Sequence, residues 1–172
     1  MFKKVCIIGC GLIGSSIARS IKKQNLSHKV VSSNRSDSVN KKVTELKIVD
    51  DSSSDTKKMV DGSDLIIIAT PLSSYEDVIL KIKNSLKDDA ILTDVGSVKE
   101  NIINLIEKNV PENISWISSH PIAGTEESGP EAGFSELFEN RWCILTPSKK
   151  ANDKDIKLLE TFWKKMGSKV DI

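Results

Sequence analysis

Apolar positions in this chain follow two alternating patterns. Short, nearly continuous apolar runs, which are typical of strands buried on both faces, are followed by segments in which apolar residues recur every three or four positions. The clearest run is residues 64–69, DLIIIA, and the clearest helical repeat is residues 12–23. This alternation predicts an α/β fold built on a parallel sheet.

The same patterns predict the order of the elements. The predicted strands are residues 3–8, 29–33, 64–69, 90–93, 116–119, 141–146 and 169–172. The predicted helices are residues 12–23, 38–45, 54–60, 74–85, 99–108 and 153–166. Serine clusters at 32–38 and 52–54 are interpreted as turns, and residues 121–131 as a functional loop. No internal repeat or linker divides the sequence, so we expect a single domain, 1–172.

The first strand leads directly into a glycine motif, Gly9-Cys10-Gly11-Leu12-Ile13-Gly14. In such a motif the first glycine permits a tight turn, the second lets the backbone approach a pyrophosphate, and the third lets the helix pack closely on its strand. The N–H groups at the start of that helix then face the phosphates. A glycine-rich turn that binds nothing is the alternative. The flanking strand and helix favour a dinucleotide site on a Rossmann-type, doubly wound, mostly parallel sheet.

Cofactor choice should depend on the end of the second strand, where the sequence is Asn34-Arg35-Ser36. An NAD-selective site usually places Asp or Glu here to bind the ribose hydroxyls. Asn34 keeps the hydrogen-bonding capacity without the charge, and Arg35 can pair with a 2′-phosphate. A polar turn before a helix is the alternative interpretation. We expect NADP to be preferred over NAD.

Three further segments at the ends of predicted strands contain candidate binding or catalytic residues, because ligands of open α/β sheets bind beyond the carboxyl ends of the strands. Ala69-Thr70-Pro71 is expected to face the nicotinamide half of the cofactor. Ser97, in the turn 94–99, is either a helix cap or a ligand in the cleft. His120 ends a strand and suits a general base, although a structural histidine is as compatible with the sequence. His28 is expected to be solvent-exposed.

Composition excludes several classes of partner. The chain has 25 Lys and Arg against 24 Asp and Glu, a formal charge of +1, which indicates neither nucleic acid nor an anionic membrane as a partner. No apolar run has the length of a membrane span, so we expect a cytoplasmic protein. The cysteines, Cys6, Cys10 and Cys143, lack metal-ligand spacing. We expect buried free thiols and no metal.

Three motifs together resemble the prephenate/arogenate dehydrogenase family: the glycine motif, Asp94-x-Gly-Ser-Val-Lys99, and the run from His120 to Gly129, HPIAGTEESG. The resemblance implies oxidative decarboxylation, in which a hydroxyl proton passes to a histidine, hydride passes to the nicotinamide, and CO2 leaves as the ring aromatises. By motif position His120 would be the base, and Ser97 would contact the same hydroxyl. Thr125 and Glu126 would lie at the mouth of the substrate pocket.

Two departures from the family qualify the resemblance. Asn34 and Arg35 replace the Asp of many NAD-using members, which supports NADP. Members also continue into a helical domain that dimerises and binds the substrate carboxylates, and these 172 residues do not contain it. Lys99 and Arg141 are expected on the surface. We therefore expect a homodimer only with the helical domain, weak turnover of prephenate or arogenate by this chain alone, and apolar surface exposed near its last strand.

Two other functions stay open from sequence. The chain could be a dinucleotide-binding module, or a redox-sensing regulator, without turnover of its own. A reductase of another class on the same fold would need its own catalytic lysine or acid, and the His120 motif argues against it.

Overall fold

A computed structural model of the chain describes residues 1–97 and 100–172. The strands are β1 (Phe2–Ile8), β2 (Ser27–Ser33), β3 (Asp51–Ser53), β4 (Leu65–Ile68), β5 (Ile91–Asp94), β6 (Ser115–Pro121), β7 (Trp142–Pro147) and β8 (Lys169–Asp171). The helices are α1 (Leu12–Lys23), α2 (Asp37–Glu45), α3 (Thr56–Val60), α4 (Tyr75–Ile82), α5 (Glu100–Asn109) and α6 (Asp153–Lys165). Two 3-10 turns cover Leu72–Ser74 and Pro130–Ala132.

The strands form one sheet in the order β3-β2-β1-β4-β5-β6-β7-β8. β1 lies between β2 and β4, and Val5 is opposite both Val30 and Leu65. Strands β1 to β6 are parallel, whereas β7 runs antiparallel to β6 and carries β8 parallel to itself. The chain order reverses direction between β1 and β4, which is where dinucleotides bind in this class of sheet. The prediction of a Rossmann-type, mostly parallel sheet is confirmed.

Helices cover both faces of the sheet, which is why the central strand β4 is apolar at every position. Ile7 belongs to the core that the sheet shares with α1, α2 and α6. Its neighbour Cys6 belongs to the opposite core, which the sheet shares with α3, α4 and α5. Successive side chains of a strand point to opposite faces, so a strand buried between two helical layers needs apolar residues at every position.

Three local predictions were wrong. Residues 51–53 are not a turn but the edge strand β3, in which Ser52 is opposite Ser32. Its three polar residues give no apolar signal, because an edge strand is only half covered. Strand β6 continues two residues beyond Ser119, because β7 pairs with His120 and Pro121 past the end of β5. Strand β2 begins at Ser27, so His28 lies in a strand, where it is exposed as expected.

Among the residues that the structure describes, no helix is long and apolar enough to cross a membrane.

Candidate active site

A cleft of about 650 Å³ lies beyond the carboxyl ends of β1, β2 and β4. Its floor is the glycine loop, and the segments after β2 and β4 form two of its walls. One face of α4 and the pair Gly129 and Pro130 also line it, together with Val39, Ser54 and Thr56. The cleft therefore includes many of the predicted cofactor residues, namely Gly9, Gly11, Asn34, Arg35, Ser36, Ala69, Thr70 and Pro71.

The glycine loop has the geometry that its sequence predicts. Gly9 has a φ of +95°, and a Cβ there would lie 2.8 Å from the carbonyl oxygen of Ala69. A Cβ on Gly14 would lie 2.0 Å from the carbonyl oxygen of Gly9, so close packing of α1 requires glycine. A Cβ on Gly11 would meet no atom within 4 Å. The loop is thus closed on its inner side and open where a pyrophosphate would approach.

Leu12 and Ile13 place their side chains against the hydrophobic core rather than in the cleft. Only the backbone N–H groups of this first helical turn remain for a ligand, and the first turn of a helix has N–H groups without intrahelical partners. Cofactor binding by Leu12 and Ile13 stays a prediction, and it would involve their backbone N–H groups.

The residues after β2 differ sharply in exposure. Asn34 is buried, and its Oδ1 accepts a hydrogen bond of 2.6 Å from the backbone N–H of Cys10 in the glycine loop. Its Nδ2 donates to Asn40 Oδ1 at 2.9 Å. Arg35 and Ser36 are exposed at the rim of the same cleft. The Asn34 side chain is thus engaged with the protein, and its predicted contact with the ribose stays a prediction.

A buried carboxylate holds the turn that follows β5. Asp94 accepts hydrogen bonds from Ser118 Oγ at 2.5 Å, from Tyr75 Oη at 3.2 Å and from the backbone N–H of Gly96 at 2.9 Å. Burial and the adjacent carboxylate raise the pKa of Tyr75 well above its usual range, so the phenol stays protonated and donates. Ser97 follows this turn and is exposed.

His120 lies in β6, half-buried, beyond the last parallel pairing with β5. The preceding Ser119 is fixed from the other face of the sheet, where its Oγ accepts from Trp163 Nε1 at 3.1 Å and lies 2.8 Å from Thr93 Oγ1. Ser97 therefore follows β5, and His120 lies near the carboxyl end of the neighbouring β6, at the same edge of the sheet. Lys99, the last residue of the Ser97 motif, lies outside the described residues.

Thr125 and Glu126 are exposed in the loop after β6, where Thr125 Oγ1 accepts from the backbone N–H of Glu127 at 3.2 Å. Arg141 is exposed, as expected. The structure thus brings Ser97 and His120 to one edge of the sheet and places Thr125 and Glu126 in the loop that continues from it.

Sequence reasoning missed the return of this loop to the cofactor cleft. The 3-10 turn Pro130–Ala132 packs on the start of α1, and a Cβ on Gly133 would lie 2.1 Å from Ser15 Oγ. The backbone N–H of Phe134 donates to Ser16 Oγ at 3.1 Å. Small residues at 15, 16 and 133 were the available signal, but nothing local shows that these positions meet.

All three cysteines are buried free thiols, as predicted. Burial raises the pKa of Cys10 to about 11 and that of Cys6 to about 12. Because the thiolate is the reactive form, both side chains behave as small apolar groups at neutral pH.

Comparison with known proteins identifies the family. Residues 17–172 match the sequence profile described as the nucleotide-binding domain of prephenate dehydrogenase. The chain belongs to this family. A cyclohexadienyl dehydrogenase from Zymomonas mobilis is 35% identical over 172 residues, which cover all of this chain and 58% of that protein. A prephenate dehydrogenase from Bacillus subtilis is 30% identical over 161 residues, which cover 93% of this chain and 43% of that protein.

Solved structures of family members share the fold. A prephenate dehydrogenase from A. aeolicus, crystallised with hydroxyphenyl propionate and NAD+, superposes with a TM-score of 0.90 at 29% identity and covers 99% of this chain. An arogenate dehydrogenase from Synechocystis gives a TM-score of 0.90 at 27% identity and covers 98% of this chain. The chain spans 59% and 58% of those two proteins. The family resemblance and the fold class predicted from sequence are both confirmed.

Proposed function

We propose that this chain is the cofactor-binding part of a dehydrogenase that uses NADP in preference to NAD and oxidatively decarboxylates prephenate or arogenate. The proposal rests on one observation: the glycine loop, Ser97 and His120 lie at the same edge of the sheet. The open glycine loop and Ser97 follow the carboxyl ends of β1 and β5, and His120 lies in the last residues of the neighbouring β6. A hydride acceptor bound in the cleft and a base on β6 would therefore face a common substrate space.

The residues of the cleft fit a dinucleotide. The space above Gly11 is open, and the backbone N–H groups at the start of α1 are available for a pyrophosphate. Arg35, exposed at the rim, would pair with the 2′-phosphate that distinguishes NADP, with Ser36 as a second donor. Ala69, Thr70 and Pro71 would border the nicotinamide half. When bound, the cofactor supplies the hydride acceptor.

His120 would accept the proton of the substrate hydroxyl as hydride leaves the same carbon, since an imidazole titrates near neutral pH. Ser97 would hydrogen-bond to the same hydroxyl and so orient it. The buried Asp94 fixes the turn that carries Ser97, because it binds Ser118 of β6 and Gly96 of the turn together. Thr125 and Glu126 would lie at the substrate entrance.

Two measurements test this proposal. Calorimetric titration of the chain should show tighter binding of NADP than of NAD. In a polypeptide extended to the length of the relatives, NADP reduction should depend on added prephenate or arogenate. Equal affinity for the two cofactors would contradict the NADP preference, and turnover without either substrate would contradict the substrate class.

His120→Asn tests the assignment of the base in the same extended protein. Asparagine keeps part of the shape and hydrogen bonding of imidazole but accepts no proton near neutral pH. We expect kcat to fall by about two to four orders of magnitude with unchanged cofactor affinity. The rise of kcat/KM with pH should disappear. Ser97→Ala should cause a smaller loss, because it removes one hydrogen bond and leaves the base in place.

A binding module without turnover is the second candidate. It needs only the cofactor cleft, whose lining lies within the described residues. Absence of turnover in the extended protein, combined with intact cofactor binding, would support it.

A further inference from the structure

We propose that Asn40, which lies outside the cofactor cleft, fixes the amide orientation of Asn34 and makes position 34 selective for an amide over a carboxylate. The inference rests on the proposed dinucleotide site, because position 34 is where this class of site reads the adenosine ribose. Asn40 would then be a positioning residue for cofactor choice.

The backbone of Asn34 determines how the Asn40 amide is oriented. Asn40 Oδ1 accepts from the backbone N–H of Asn34 at 3.1 Å, and Asn40 Nδ2 donates to the backbone carbonyl of Asn34 at 3.0 Å. A flipped amide would set donor against donor and acceptor against acceptor at these two contacts. The orientation of Asn40 therefore follows from the hydrogen bonds themselves.

The Asn40 orientation in turn determines that of the Asn34 side chain. Asn40 Oδ1 is an acceptor, so the group that faces it at 2.9 Å must be Asn34 Nδ2. Asn34 Oδ1 is then left to accept from the Cys10 N–H at 2.6 Å. Ser52 on β3 reinforces the arrangement, since its Oγ donates to Asn40 Oδ1 at 2.6 Å. Both amides are buried, at 7% and 6% exposure.

A carboxylate at position 34 would conflict with this network. One of its oxygens could still accept from the Cys10 N–H, but the other would face the acceptor Asn40 Oδ1. Rotation of Asn40 to present Nδ2 would break both of its hydrogen bonds to the Asn34 backbone. The Ser32 and Ser52 hydroxyls, each 3.3 Å from Asn34 Nδ2, could donate to that second oxygen, but the acceptor Asn40 Oδ1 would still oppose it. Asn40 therefore disfavours an ionised carboxylate at the position that carries Asp or Glu in many NAD sites, and the exposed Arg35 is left to read the 2′-substituent.

Asn34→Asp and Asn40→Ala, alone and combined, test the proposal. Asn84→Asp, which adds the same charge in an exposed turn, is the matched control. Thermal unfolding midpoints and calorimetric NAD affinities would be measured from pH 5 to pH 8. NAD is the probe because it lacks the 2′-phosphate that a new carboxylate would repel.

We expect the new carboxyl of Asn34→Asp to have a raised pKa, because its protonated form can donate to Asn40 Oδ1 and its ionised form cannot. A raised folded-state pKa stabilises the protein at low pH, and this contribution is lost as pH rises. Among the described residues that hydrogen-bond to Asn34, Cys10 carries a titratable side chain, and its pKa of about 11 keeps the thiol neutral in this range. The exposed Arg35 is the neighbouring cation, and it is the same in every variant compared.

We expect the thermal unfolding midpoint of Asn34→Asp to fall as pH rises. We also expect its NAD affinity to be about tenfold weaker at pH 8 than at pH 5, which corresponds to the loss of one hydrogen bond. Both trends should shrink in the combined variant, because Asn40→Ala removes the opposing acceptor. Asn84→Asp should behave as the unmutated chain does. If Asn34→Asp does not fold at pH 8, recovery of folding at pH 5 or in the combined variant supports the proposal.

Tighter NAD binding by Asn34→Asp at every pH, with no effect of Asn40→Ala, would overturn the inference. So would a failure to fold that neither low pH nor Asn40→Ala corrects. If the unmutated chain bound neither NAD nor NADP, the proposed function would fail, whereas the unfolding midpoints would still report on the network.

Discussion

Single residues of the candidate site fall into two groups, those that hydrogen-bond to neighbouring protein groups and those that are exposed. Asn34 and Asp94 are buried and bind neighbouring loops, whereas Arg35 and Ser97 are exposed. A buried polar group that loses its partner destabilises the fold, so the first group cannot be changed without structural cost. Ligand recognition should therefore depend more on the exposed group.

Arg35→Ala tests this division. The change removes an exposed guanidinium, so the folded state should be unaffected. NADP binding should weaken by about 1.5 to 3 kcal/mol, the range for a hydrogen bond to a charged group, while NAD binding changes little. Lys41→Ala, which removes an exposed charge from the neighbouring α2, is the control. Equal losses for NADP and NAD would show that Arg35 does not read the 2′-phosphate.

Alanine substitutions at Gly11 and Gly14 should have different effects, the first on cofactor affinity and the second on the stability of the fold. A Cβ on Gly11 meets no atom within 4 Å, so Gly11→Ala should leave the unfolding midpoint unchanged and weaken cofactor binding about tenfold or more. A Cβ on Gly14 would overlap the Gly9 carbonyl oxygen, so Gly14→Ala should destabilise the protein by about 1 to 3 kcal/mol. Unfolding and calorimetry on both variants check this. A stability loss in Gly11→Ala would contradict the assignment of an open loop.

At the scale of elements, the loop between β6 and β7 connects the two halves of the site. It begins beside His120, contains Thr125 and Glu126, and returns to line the cofactor cleft at Gly129 and Pro130. The 3-10 turn Pro130–Ala132 within this loop is joined to α2 by an ion pair of 3.0 Å between Lys42 and Glu131. Displacement of this turn should therefore affect the cofactor cleft.

Gly133→Ala should displace the turn, because the added Cβ would lie 2.1 Å from Ser15 Oγ and 3.0 Å from the Ser16 backbone nitrogen. We expect a loss of about 1 to 3 kcal/mol in stability and weaker binding of both NAD and NADP. Gly124→Ala is the matched control from the same loop, since a Cβ there meets nothing within 4 Å. Unchanged cofactor affinity in Gly133→Ala would show that the turn does not shape the cleft.

At the scale of the whole molecule, apolar side chains remain exposed around the last strands. Ile122, Trp142 and Ile172 are each exposed by half or more, which confirms the sequence-based expectation of apolar surface in this region. The backbone N–H of Ile122 donates to the Trp142 carbonyl at 2.7 Å, so the first two are held side by side. Exposed apolar clusters commonly mark contact surfaces.

The 172-residue chain by itself should bind cofactor but turn over prephenate or arogenate very slowly. Without further protein to close the cleft, the reaction lacks substrate positioning and exclusion of water, which together can contribute many orders of magnitude in rate. Calorimetry with NADP, followed by an absorbance assay with each substrate, checks both parts. Rapid turnover by this chain would require substrate-binding cations within its 172 residues, with the exposed Arg141 as the first to test.

Local periodicity determined much of this protein from sequence. Three sequence features predicted the sheet, its glycine loop and the edge of the sheet where the candidate site lies. They are the apolar run of β4, the helical repeat of α1 and the glycines between the first strand and helix. These features depend on residues close in the chain, where strand and helix patterns are strongest. The His120 run added the family, which the comparisons confirm.

Tertiary structure alone decided the features that depend on distant residues. Strand β3 forms because Ser52 pairs with β2. His120 lies in a strand because β7 pairs with it on the side of β6 opposite β5. The Asn34 amide is oriented by Asn40, and Gly133 meets Ser15 more than a hundred positions away. Polar side chains carry no periodic signal of their own, so their partners become known only when the folded backbone brings them together.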